Sequence, residues 1–137
     1  MKEFEITGDT RPYHFPAPNP AVATVLVLML GNGKYGWRDL RHSENEFPVA
    51  RIKMTRTYWC KDKFGMTDED LLRKVSTTPE LLAALWRALQ SIALGLPGAP
   101  ERVEPQDYRD LRIKGRLLAE QIQNRVNKGI LRQARIH

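Results

Sequence analysis

Three groups of residues in this chain have types and spacings that could do chemistry. The first is Gly31-Asn32-Gly33-Lys34-Tyr35-Gly36, which spells G-x-G-x-x-G, the pattern that cradles a dinucleotide pyrophosphate. That use requires a strand before the loop, a helix opening within it and further parallel strands to complete a crevice. The residues from Trp37 onward leave room for about two helical turns at most. Where an acidic ribose partner should stand, the chain has Lys53, Met54 and Arg56. The remaining sequence is helical in pattern and cannot complete a doubly wound sheet, so no nucleotide cofactor is expected. The phosphate loop G-x-x-x-x-G-K-[ST] is absent from the sequence.

The second group is the set of catalytic residue types. His14, His42 and His137 are far apart and lack metal-ligand spacing, so no metal site is expected. His42-Ser43-Glu44 are adjacent, but a triad is defined by geometry in space and not by adjacency. Asp68, Glu69 and Asp70 suit the start of a helix better than acid–base work. The single cysteine, Cys60, excludes an internal disulfide and reads as a small core residue in a reducing compartment. A non-catalytic protein is the expectation.

The third group is cationic. Lys34, Trp37, Arg38 and Arg41, with Tyr35 and His42, interleave cations and rings in a way that can stack on bases while holding phosphate. The alternative is that these rings pack down on a sheet. The larger signal is at the other end. Residues 108–137 hold Arg109, Arg112, Lys114, Arg116, Arg125, Lys128, Arg132 and Arg135 against Asp110 and Glu120, which accounts for the whole net charge of +6. On a helical wheel Arg109, Arg112 and Arg116 fall within about 60° of one another, and Lys114, Arg125 and Lys128 do so on another side. Two cationic patches then flank an apolar stripe of Leu111, Leu118, Ile122 and Val126. Such a helix can contact a nucleic-acid backbone, or its long side chains can shield the stripe.

These cations must be positioned by elements that the sequence outlines. Residues 2–15 read as a β-hairpin, with Phe4 and Ile6 alternating against Glu3 and Glu5 and with Thr7-Gly8-Asp9 as the turn. Pro12 confines the second strand to an edge. Residues 21–30, AVATVLVLML, are helix or strand by composition. Asn19 as N-cap, Pro20 at the first position and Gly31 past the end favour a helix, whereas Val22, Thr24, Val25 and Val27 favour a strand. Val49–Cys60 alternates as a strand, with Ala50, Ile52, Met54, Tyr58 and Cys60 on one side, interrupted by Arg56 and Trp59. Thr67, with Asp70 three positions on, caps a helix, and Thr78-Pro79 opens a second that stops at Gly95. Leucine and glutamate at the start of that second helix rule out a DNA-reading helix-turn-helix. Residues 96–105 form a linker, Pro105 opens the C-terminal helix with Asp107 and Asp110 near its start, and Gly129 is the expected stop.

The predicted fold is therefore α+β and mostly helical: an N-terminal hairpin and one further strand packed with three to four helices, ending in a basic amphipathic helix. It is expected to be one domain over 1–137, divided into a mixed half (1–66), a helical pair (67–95), the linker (96–105) and the C-terminal helix with its tail (106–137). The N-terminus has no apolar leader, and the longest apolar run is about half a membrane span, so a cytoplasmic protein without membrane contact is expected.

Residues 3–31, with their short hairpin, proline-rich joint and apolar helix, resemble the opening of phage tail-assembly chaperones. The resemblance covers roughly a fifth of the chain and implies a viral accessory protein. Two function classes follow from the sequence as a whole. One is a small nucleic-acid-binding protein, for DNA or RNA, using the C-terminal cations of residues 109–135, helped by the Lys34–His42 loop. The other is an adaptor, assembly chaperone or inhibitor whose apolar helix 79–94, with Leu82, Leu85, Trp86 and Leu89, or apolar segment 21–30 is covered by a partner. An acidic protein surface is the alternative to nucleic acid as partner, and a homodimer is a further expectation.

Overall fold

The structure is a computed structural model that describes residues 1–8, 13–31, 33–42, 46–50, 52–95 and 106–136; the side chains of residues 53, 107 and 129–136 lie outside that description. Strands β1 (Lys2–Gly8), β2 (Tyr13–Ala17), β3 (Tyr35–Asp39) and β4 (Glu46–Phe47) form one antiparallel sheet in the order β2-β1-β3-β4. Helices α1 (Pro20–Gly31), α2 (Lys53–Phe64), α3 (Asp68–Thr77), α4 (Pro79–Leu94) and α5 (Gln106–Ile136) complete the described elements. The chain is α+β and mostly helical, as its patterning predicts.

The period-two pattern of β1 sends Phe4 and Ile6 into the core, where they meet Phe15, Tyr13 and Trp37 across the strands. The opposite face carries charge in alternating sign. Glu5 lies opposite both His14 and Arg38, and Arg38 lies opposite Glu46. Opposite charges on neighbouring strands add modestly to sheet pairing.

Between Asn19 and Gly31 the two end signals prevail over the β-branched composition. Asn19 Oδ1 accepts the Val22 N–H at 3.0 Å, and Pro20 occupies the first turn, where it sacrifices no hydrogen bond. Residues Val22 to Val27 are all buried, so α1 is apolar on every side and must be enclosed. The sheet packs on one side, and α3, α4 and α5 pack on the others. Its one polar group inside is satisfied, because Thr24 Oγ1 accepts from Trp37 Nε1 at 2.9 Å. Tyr13 ties the edge strand to the helices: its hydroxyl donates to the Ile92 carbonyl at 2.9 Å, and its ring meets Tyr108 edge-on at 4.9 Å.

Two expectations from the sequence are corrected. The described residues between 49 and 60 form no strand; α2 begins after Ile52, and Ile52, Met54 and Tyr58 of the supposed inner face are exposed. The two residues that interrupt the alternation, Arg56 and Trp59, lie with Cys60 and Phe64 on the side of α2 that packs inward. A helical period of 3.6 explains all four. The strands that complete the sheet are instead 35–39, read from sequence as a loop, and 46–47. The second correction is at the C-terminus, where the helical backbone runs through Gly129 to Ile136. The 96–105 linker, Pro105 and the hairpin turn from Asp9 lie outside the described residues. Thr67 does cap α3, accepting the Asp70 N–H at 3.1 Å, and Gly65 closes α2 in the left-handed conformation at φ 69°.

Helices α4 and α5 approach closely at Gly115, where an added Cβ would stand 3.0 Å from Ile92 Cγ2 and 3.2 Å from the Leu89 carbonyl oxygen. A mid-helix glycine costs about 1 kcal/mol in propensity, so its presence here reflects that contact. Gly115→Val should therefore destabilise the protein by about 1–3 kcal/mol through overpacking, despite removing a helix glycine. Urea unfolding of the two proteins measures the difference.

Candidate functional site

The C-terminal helix gets its orientation from its packed seam. Leu111, Leu118, Ala119 and Ile122 are buried against the body, and Gly115 lets α5 lie close on α4. Beyond Ile122 the described side chains, residues 123–128, are all exposed, including Val126, which the sequence places in the stripe but which is 40% exposed.

The predicted cations divide by this seam. Arg109, Lys114, Arg116, Arg125 and Lys128 are exposed, whereas Arg112 is partly buried. Arg132 and Arg135 lie on helical backbone with side chains outside the described residues. Around the axis Arg109, Arg112 and Arg116 stand within roughly 40° of Gln123, while Lys114, Arg125 and Lys128 stand roughly 140–180° away from it. The two patches thus lie on opposite flanks of the helix. Lys114, Arg116, Arg125 and Lys128 make no ion pair with a described acidic side chain.

The second predicted cluster does not assemble. Trp37 lies in β3, is 1% exposed and is held by Thr24, with Phe4 and Trp59 edge-on to its ring, so it cannot stack on a base. Arg38 points to the open face of the sheet and donates through Nε and Nη2 to Glu5 Oε2 at 3.1 and 2.8 Å. Lys34 remains exposed with its ammonium 5.5 Å from the centre of the Tyr35 ring, and Arg41 is exposed beyond the other end of β3. The rings pack on the core, as the alternative reading of this segment holds.

The predicted protein-contact residues also separate. Leu85 and Leu89 are fully buried and face the core. Leu82 and Trp86 are partly buried, and with Pro79, Ala83, Ile122 and Val126 they line an apolar groove of about 430 Å³ between α4 and the far half of α5. Sequence periodicity places all four leucine and tryptophan positions on one apolar helix. Only the position of α5 determines which of them remain accessible. The Trp86 Nε1 is shielded from solvent and has no acceptor among the described residues.

Arg56 is the residue that sequence reading missed. It is 2% exposed; Nη2 donates to the Tyr35 carbonyl at 2.9 Å, and the guanidinium lies 4.1 Å over the Phe47 ring. Burial holds this guanidinium below its ordinary value, partly offset by the nearby Cys60 and Asp68. Its Nε and Nη1 have no partner among the described residues. The signal in the sequence was the interruption of the strand pattern, which is the mark of a helix face carrying a buried cation.

Catalytic residue types are dispersed or engaged. His14 Nε2 lies 3.4 Å from Glu5 Oε1, and Asp39 is buried, with Oδ1 accepting the Arg41 N–H at 2.9 Å. Among the described residues no group of three or more His, Cys, Asp or Glu side chains could hold a metal ion. No described helix is long and apolar enough to cross a membrane. No protein-family model, curated protein or solved structure matches this chain.

Burial, with a smaller contribution from Asp68, pushes the Cys60 thiol up to about 11, against the nearby Arg56 charge. Because the folded value is raised from 9.0, the native state holds the proton longer than the unfolded chain. The contribution of Cys60 to stability is therefore complete below about 9 and declines as pH rises towards about 11. In native buffer at neutral pH a disulfide reagent should leave Cys60 unmodified, and reaction should become complete on adding denaturant. Rapid native labelling would contradict this burial.

Proposed function

We propose that this is a non-catalytic binding protein whose basic C-terminal helix contacts an anionic partner, with nucleic acid as the partner class. The observation that carries the reading is the side of α5 bearing Lys114, Arg125 and Lys128. The helix already buries its apolar seam against the body, and these cations stand on an exposed flank without ion-pair partners among the described residues. They are therefore not occupied in shielding the core, and neutralising them with phosphates would release counterions and drive association. A protein with a single unpaired cysteine fits a reducing, cytoplasmic setting for this activity. The resemblance of residues 3–31 to tail-assembly chaperones is compatible with a viral accessory role, but no relative supports it.

A second reading is favoured by one specific observation: Leu82 and Trp86 remain accessible in a formed groove. That arrangement supports a protein–protein adaptor, and the two readings use different flanks of α5.

Binding to a fluorescent single-stranded oligonucleotide, and to a duplex of the same sequence, should weaken steeply as salt is raised. The triple variant Lys114→Gln, Arg125→Gln, Lys128→Gln should flatten the slope of log K against log salt by roughly 2–3. Anisotropy titrations across a salt series provide the measurement. No binding to either oligonucleotide, or an unchanged slope in the triple variant, would sink the nucleic-acid reading.

A further inference from the structure

The groove beside Trp86 has a length, lining and charge that suit one kind of occupant. Along α4 it runs from Pro79 to Trp86, which is roughly 10 Å or two helical turns. Its volume of about 430 Å³ accommodates a few large apolar side chains. Its lining from Leu82, Ala83, Trp86, Ile122 and Val126 is apolar, and Ser76, Thr77 and Gln123 add polar groups but no cation, so it offers little to a phosphate chain.

The charge lies in line with the groove. Gln123 lines it, and on that same flank of α5, about seven residues or 10 Å towards the helix start, stands Arg116. Arg116 is exposed and makes no ion pair with a described acid. Arg109 and Arg112, each engaged in contacts of its own, lie further along this flank, and Glu120 stands one turn beyond Arg116, roughly 40° round on the side away from the groove, without an ion pair to it. An apolar slot leading towards the exposed Arg116 matches an apolar helix face followed by carboxylates. It also disfavours a second copy seated across the groove, which would bring like charges together.

We propose that this groove docks an amphipathic helical segment of another protein, with apolar side chains at i, i+3 or i+4 and i+7 and with acidic residues lying towards Arg116. This rests on the adaptor reading and is independent of the nucleic-acid reading. Apolar anchors fill the slot between Leu82 and Val126. The occupant's apolar side chains pack on the Trp86 ring, and the carboxylates meet Arg116.

The test uses the full chain and a synthetic helical peptide with leucines at i, i+4 and i+7 and glutamates between them, alongside a version with glutamine for every glutamate. Binding is read by anisotropy and by the indole N–H signals in a nitrogen-15 correlation spectrum. Trp86 should shift on adding the glutamate peptide, while Trp37, already bonded to Thr24, should remain in place. Ala83→Glu and Val126→Glu place a carboxylate in the slot at exposed positions and should weaken the glutamate peptide at least about tenfold. Arg116→Gln should weaken it about threefold and should remove its advantage over the glutamine peptide. The Lys114/Arg125/Lys128 variant should bind the peptide as the parent does, so loss of oligonucleotide binding and loss of peptide binding report separately. Equal binding of the two peptides, or binding unaffected by Ala83→Glu, would overturn the proposal. Displacement of the peptide by oligonucleotide would overturn it in favour of nucleic acid, and a dimer dissociated by Ala83→Glu would overturn it in favour of a second copy.

Discussion

Helix α1 has no polar side to offer water, and this requirement for complete enclosure organises the rest of the chain. One layer of structure covers one face of a helix, so α1 needs the sheet on one side and further helices on the others. Each covering element meets the requirement in its own way. The strands turn Phe4, Ile6, Phe15 and Trp37 towards it, and Trp37 also satisfies the hydroxyl of Thr24, the only polar side chain in the run from Val22 to Val27. Helix α4 covers the other side with Ala84, Leu85, Ala88, Leu89 and Ile92. Deleting any of these large buried side chains would cost about 2–5 kcal/mol, a substantial share of the stability of a domain this size.

Enclosing α1 has a consequence for α4. A helix with apolar residues over most of its circumference cannot bury all of them against α1, and α5 covers what remains. Gly115 brings the two helices together, while Ile122 is the last buried residue of the α5 seam among those described. The groove at Leu82 and Trp86 is the stretch of α4 beyond the end of that seam. It follows from a mismatch in length between the apolar face of α4 and the cover that α5 supplies. The same geometry separates the cations of α5 into a flank beside the groove and a flank facing away from it. The two surfaces proposed for binding therefore share one helix.

Legibility varied with how local the physics is. The ends of α1 were readable because Asn19 and Pro20 act on the backbone next to them, and Thr67 was readable for the same reason. Alternation misled at 49–60 because exposed apolar residues such as Ile52, Met54 and Tyr58 mimic a buried strand face. Arg56 was hidden because a cation signals solvent in any local pattern. Here it is enclosed between the Tyr35 carbonyl and the Phe47 ring, both brought in by strands distant in sequence. Trp37 was misplaced in a loop because Gly36 resembles a turn residue, although it lies in a strand where an added Cβ would collide with the backbone of Phe47.

By itself the sequence determined the fold class, the hairpin, the capped helices and the concentration of positive charge at residues 108–137, because propensity, capping and net charge are properties of neighbouring residues. Only the tertiary structure decided which apolar residues remain reachable. Leu85 and Leu89 face the core whereas Leu82 and Trp86 line a groove. It also decided that Trp37 is sealed in and that one flank of α5 lies beside the groove. Accessibility is set by what covers a side chain, and the covering elements come from distant parts of the chain.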